Sequence, residues 1–102
     1  MNFTNANLQG SDLQLADLSQ ADLSGASLID ADLRGSSLRF TRLVGVILNG
    51  ARLEGADFFG ADLSNTDLSQ VNLDGVDLNG VVYNESTIWP EGYTPPEPVR
   101  SP

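Results

Sequence analysis

Fourteen carboxylates and five arginines carry the side-chain charge of this 102-residue chain, which has no histidine, lysine or cysteine. Two carboxylates across a cleft could cut a glycosidic bond, and six or more converging oxygens could hold a hard cation. A nucleophile would have to be a serine or threonine activated by a carboxylate alone. Spacing argues against all three. Asp12, Asp17, Asp22, Asp32, Asp57, Asp62, Asp67 and Asp77 recur in steps of five or multiples of five, which disperses them over a surface. Short carboxylates so placed bond nearby backbone and keep the surface soluble. We expect no catalytic, cofactor-binding or metal-binding residues, and no enzyme.

The balance of charge narrows the partners. A formal net charge of −9 opposes direct nucleic-acid binding, because phosphate contacts need clustered basic side chains. No apolar run reaches the length of a membrane span, and the N-terminus lacks the basic and apolar regions of a signal peptide. We expect a soluble, cytoplasmic protein. Without cysteine the redox compartment cannot be read.

The elements that position these residues follow from one period. From Phe3 to Ile88 every fifth residue is large and apolar, as in Leu23, Leu28, Leu33, Leu38 and Leu43, and the residue two places before is usually small. On an α-helix a step of five turns about 140°, so these side chains would spiral around the surface. On a straight strand an odd step sends successive side chains to opposite faces. They can share one interior only if the chain bends once per pentad. With the large residue at position three, nine of the ten glycines fall on position five, and Asn5 and Asn65 take the same slot. Glycine and asparagine are the residues that most cheaply supply the positive φ of a type II turn.

The pentads Ala16-Asp17-Leu18-Ser19-Gln20, Ala21-Asp22-Leu23-Ser24-Gly25, Ala31-Asp32-Leu33-Arg34-Gly35 and Ala61-Asp62-Leu63-Ser64-Asn65 resemble the A(D/N)LXX unit of pentapeptide-repeat proteins. The resemblance covers about residues 1 to 89 and is closest to small members of cyanobacterial type. It implies an all-β fold, a right-handed quadrilateral β-helix (a β-solenoid) of about four coils with four pentapeptides in each. Residues twenty apart should then stack. That sets Arg42 between Asp22 and Asp62, Arg52 beside Asp32, Arg34 beside Glu54, and Arg39 within cation–π range of Phe59.

Residues 1–89 read as the repeat domain and 90–102 as a closing segment with a proline-rich tail. Trp89 and Tyr93 are expected to cover the last coil, and Glu97 to Pro102 to form a mobile tail. At the other end, Met1 and Phe3 are candidates to plug the first coil. That end could simply fray, or it could pair with a second copy into a homodimer.

Outward-facing apolar residues are the most distinctive surface feature: Leu15, Ile29, Phe40, Val44, Ile47 and Phe59 occupy positions two, four or five. Such residues either pack locally at corners or meet a partner. Arg39, Phe40 and Phe59 form the candidate protein contact. The expected function is a non-catalytic repeat scaffold that contacts an unidentified protein. The alternative implied by the resemblance is a DNA-mimic inhibitor of a topoisomerase such as gyrase. Against it, arginines interrupt the stacked acidic columns, and phosphate mimicry needs continuous negative potential.

Overall fold

The corner is where the sequence acts first. The computed structural model describes residues 1–97, and every position-five residue from Asn5 to Gly80 except Gln70 has a φ between 56° and 82°. Except at Thr66, each corner from Ala6 to Val81 is closed by the N–H of the next position one, which donates to the preceding position-three carbonyl, as from Ala31 to Leu28 at 3.0 Å and from Ala51 to Leu48 at 2.9 Å. What lies between corners is too short for a strand. Neighbouring passes therefore meet in single parallel bridges, among them Asp22↔Arg42, Ser27↔Ile47, Asp32↔Arg52 and Ser37↔Asp57. Every bridge but the last joins residues twenty apart, so four pentads complete one circuit. We refer to residues 1–20, 21–40, 41–60 and 61–80 as the first to fourth layers of this all-β solenoid.

Main-chain hydrogen bonds tie the layers with a fixed polarity. Position two donates to the position-one carbonyl of the layer before, as Asp32 to Ser11 at 2.9 Å. Positions three and five donate to carbonyls at positions two and four of the layer after, as Leu33 to Arg52 at 2.8 Å and Gly35 to Glu54 at 3.1 Å. Inside the solenoid, leucines from Leu23 to Leu68 and alanines such as Ala21, Ala26 and Ala31 are buried, with Phe58 in one leucine slot. Each fully buried leucine contributes about 1.5–3 kcal/mol, and its neighbours lie in the layers on either side. Stability is thus shared between layers, as in other repeat architectures.

Three features depart from the sequence reading. The register slips once, near the top: the last bridge joins Asp67 to Ile88, twenty-one residues apart. A turn in which the Thr87 N–H donates to Asn84 O takes up the extra residue. Ile88 is consequently 52% exposed, Thr87 is buried, and Trp89 packs against the core in the inward slot. Phe3 packs against the first layer, whereas Met1 is 66% exposed and plugs nothing.

The third departure is an open rung. Among the described residues no bridge joins Ile47 to Asp67, Arg52 to Asn72 or Asp57 to Asp77, and no backbone hydrogen bond links these three sides of the third and fourth layers until Gly60 N–H reaches Gly80 O at 3.0 Å. The opening starts where the Thr66 hydroxyl accepts from Gly45 N–H at 3.2 Å, in place of the Ser64 carbonyl. Val71 and Val76 also stand where the layer below has Ala51 and Ala56. The tail expected over Glu97 to Pro102 lies, beyond Glu97, outside the described residues.

Candidate interaction surface

Position two of each pentad places a short polar side chain on the outer wall, beside the turn that follows it. All eight regularly spaced aspartates accept a hydrogen bond from the N–H two residues on, at 2.9–3.2 Å. Asn2, Asn7 and Asn72 do the same. These bonds hold several carboxyls below the ordinary range: Asp17 and Asp67 through their serine neighbours, Asp22 first through Ser24 N–H, and Asp32 first through the Arg34 side chain. The carboxylates are occupied in building corners. Among the described residues no group of three His, Cys, Asp or Glu is placed to hold a metal ion, and no helix is long and apolar enough to cross a membrane.

The arginines pair both across and within layers. Arg42 lies in the column between Asp22 and Asp62, with its Nε 3.9 Å from Asp22. Arg34 turns to Asp32 of its own pentad, at 2.8 and 2.6 Å, instead of taking Glu54 as its partner. Two residues apart on one short side, the carboxylate can meet the guanidinium in a bidentate pair, which a single stacked contact cannot match.

Arg39, Phe40 and Phe59 come together. Phe40 and Phe59 meet edge to face with ring centroids 5.8 Å apart, and the Arg39 guanidinium lies 4.8 Å from the Phe59 centroid and 5.9 Å from that of Phe40. Arg39 also pairs with Asp57 at 3.0 Å. That pair was missed in the sequence, where only separations of twenty were considered; a position-four arginine reaches position two of the next layer at a separation of eighteen. The Asp57 carboxyl is held low first by Phe59 N–H and then by Arg39. Phe40 stands at a corner with φ 58°, a conformation bulky residues rarely adopt. Both rings are about half exposed. Leu15 (82% exposed) lies over Gly35 at another corner. Ile47 is also exposed, while Ile29 and Val44 are half-buried.

Beside the patch the open rung widens into a crevice of about 420 Å3, lined by Arg39, by Gly55, Ala56, Asp57 and Phe59 of the third layer, and by Gly75, Asp77 and Asn79 of the fourth. At the top of the stack Tyr83 meets Trp89 edge to face at 5.1 Å, and Trp89 stacks on Tyr93 at 5.5 Å. The Tyr83 hydroxyl donates to Pro96 O.

Several solved structures resemble the chain, among them the following three. A pentapeptide repeat protein, Rfr23, from the cyanobacterium Cyanothece 51142 aligns over 86% of this chain and 60% of its own, with 36% identity and a TM-score of 0.81. QnrB1, a plasmid-mediated fluoroquinolone resistance protein, aligns over 80% of this chain and 38% of its own, with 28% identity and a TM-score of 0.72. A pentapeptide repeat protein of the Arabidopsis thaliana thylakoid lumen aligns over 87% of this chain and 58% of its own, with 26% identity and a TM-score of 0.58. This chain therefore spans less than two thirds of each of those chains. No curated protein matches it. The pentapeptide repeats model matches residues 2–39 and 36–75, in eight copies. Pentad spacing, left-handed corners and twenty-residue circuits agree with that match, and the chain belongs to the pentapeptide repeat family.

Proposed function

We propose that this chain is a non-catalytic repeat scaffold that acts by contact with another protein, and that Arg39, Phe40 and Phe59 form the contact. The finer architecture we infer is a right-handed quadrilateral β-helix of about four coils over residues 1–89, closed by the segment from residue 90. The observation that carries the functional reading is the juxtaposition of two half-exposed rings and a guanidinium, with Phe40 held in a left-handed conformation. Strained bulky residues persist where the surroundings hold them, and aromatic residues beside arginine are typical of contact hot spots.

The test is affinity capture with the wild-type chain and a Phe40→Ser, Phe59→Ser variant. The variant should keep its circular dichroism spectrum and melting curve nearly intact and lose the partner. Unfolding of the variant would make the rings structural and remove the proposal. DNA mimicry has less support: the Asp22, Arg42, Asp62 column alternates in sign, and Arg52 follows Asp12 and Asp32 in the next. A supercoiling assay that finds gyrase inhibited would reverse that order.

A further inference from the structure

One peptide plane beside the open rung is held by no neighbouring layer. In the second and third layers every position-four carbonyl accepts an N–H from the layer before, as Asn49 O does from Asp30 at 3.0 Å and Glu54 O from Gly35 at 3.1 Å. On the side that carries Phe59 the register shifts. Gly60 N–H reaches Gly80 O at 3.0 Å instead of Asn79 O, so among the described residues the Asn79 carbonyl has no main-chain donor. Gly80 N–H, at the other end of the same plane, has no main-chain acceptor among them. Asn79 is exposed and lines the crevice. Its main-chain N–H is engaged by the Asp77 carboxylate at 3.0 Å.

Asparagine before glycine is the pair that closes a five-membered imide most readily, because glycine has no Cβ to hinder its nitrogen. The chain holds two such pairs, Asn49–Gly50 and Asn79–Gly80, each between a leucine and a small apolar residue. We propose that Asn79 is a site of spontaneous main-chain modification through a succinimide, and that the fold protects Asn49. Gly80 N gives up its proton and attacks Asn79 Cγ; the new N–Cγ bond replaces Cγ–Nδ2, and ammonia leaves. Water then cleaves N–Cγ to give aspartate, or the original C–N bond to give isoaspartate, whose main chain runs through the side-chain carbons. For the nitrogen to reach Cγ the Asn79–Gly80 plane must turn, and it loses no main-chain bond in doing so. At Asn49 the same turn breaks the bond from Asp30 N–H, which folding does not surrender freely. Asp74–Gly75 is equally unpaired but offers a carboxylate, a poorer electrophile than an amide. Gly80 also seats an aromatic ring: a Cβ there would lie 2.5 Å from Phe59 Cδ2. Isoaspartate lengthens the main chain beside that seat and adds a carboxylate to a crevice that already holds Asp57 and Asp77. This chemistry needs no partner protein and is independent of the contact reading.

The test is incubation of the folded chain at mildly alkaline pH, with a urea-unfolded sample alongside until the latter is fully converted. Cleavage after Glu54 and Glu85 puts Asn49 and Asn79 in separate peptides. Mass spectrometry follows deamidation of each, and enzymatic methyl transfer to the free α-carboxylate counts isoaspartate. Each folded rate is divided by the rate of the same site in the unfolded chain. Folding should slow Asn49 at least about twofold more than Asn79, and about fivefold more where the Asp30 bond has its typical net worth. Isoaspartate should accompany aspartate at Asn79. Asn79→Gln should leave that peptide unmodified and the circular dichroism spectrum unchanged. A protection ratio below about twofold, aspartate without isoaspartate, or no product at Asn79 of the folded chain would each overturn the proposal.

Discussion

The ring of Phe40 covers Gly60: a Cβ at Gly60 would lie 2.4 Å from Phe40 Cδ1 and 2.5 Å from its Cε1. The two residues hold the same corner slot in successive layers, both with positive φ. A glycine there leaves space that the aromatic below fills, and Phe59 uses Gly80 in the same way.

That pairing predicts non-additive stability. Gly60→Ala should destabilise by about 1–2 kcal/mol, from a side chain at φ +74° together with displacement of Phe40. Phe40→Gly should be near neutral, since relief of about 1 kcal/mol of left-handed strain offsets the lost ring contact. In the double variant the clash is gone, so urea melts should show a coupling of about 0.5 kcal/mol or more. Strict additivity would mean the ring does not depend on the glycine.

Acid should act through the wall of aspartates. Asp17, Asp22 and Asp67 have carboxyls held below their ordinary value of 3.8 by turn hydrogen bonds. The folded state therefore binds fewer protons than the unfolded chain as pH falls through that region. The contribution is complete above about pH 4 and is lost below it, so melting temperature should decline between about pH 4 and pH 2. Replacing all three by asparagine, which caps identical turns at Asn2 and Asn7, should keep the fold at neutral pH and flatten the acid limb. A limb that stays as steep would place the titration elsewhere.

Thr66 can be separated from the rest of the open rung. With Thr66→Ala, Gly45 N–H is free to return to the Ser64 carbonyl, as Gly25 N–H pairs with Val44 O at 3.0 Å in the layers below. Leu43 O keeps its bond from Val46 N–H at 3.1 Å. Thermal melts should show stability unchanged or raised by up to about 1 kcal/mol, the net worth of one hydrogen bond. A loss of more than about 1 kcal/mol would show that the hydroxyl supports the fold.

The aromatic closure has its own reporter. Trp89 is the single tryptophan, held between Tyr83 and Tyr93. Burial, and to a smaller extent the nearby Asp77 carboxylate, pushes the Tyr93 hydroxyl above its ordinary value. Trp89→Ala should cost about 2–3 kcal/mol, less than a fully buried tryptophan because Trp89 is only half-buried. Tryptophan fluorescence of the wild type should follow the same urea transition as circular dichroism. An earlier fluorescence transition would make the closure a separate unit.

Corners, core and the turn-capping aspartates were legible because a five-residue apolar period with glycine in one slot has a single inward-facing solution. The juxtaposition of Arg39 with Phe59 was legible too, since the two are twenty apart. The slip at Thr87 was not, because Ile88 continues the apolar period and nothing local favours Thr87 and Trp89 over it; the Asn84 turn decides. The Arg34–Asp32 and Arg39–Asp57 pairs depend on side-chain reach, which a column of stacked residues does not contain. The open rung begins at one hydroxyl, that of Thr66, a difference too small to disturb the period.

The fixed polarity of the main-chain ladder also limits how such a chain can change length. A duplicated Ala21–Phe40 segment presents to its neighbours the same donors and acceptors as the original, so whole circuits can be added without rewiring. Insertion of a single pentad between Phe40 and Phe59 would shift everything downstream by one corner and carry Phe59 away from Phe40. Evolution by slippage is therefore silent in steps of twenty and disruptive in steps of five.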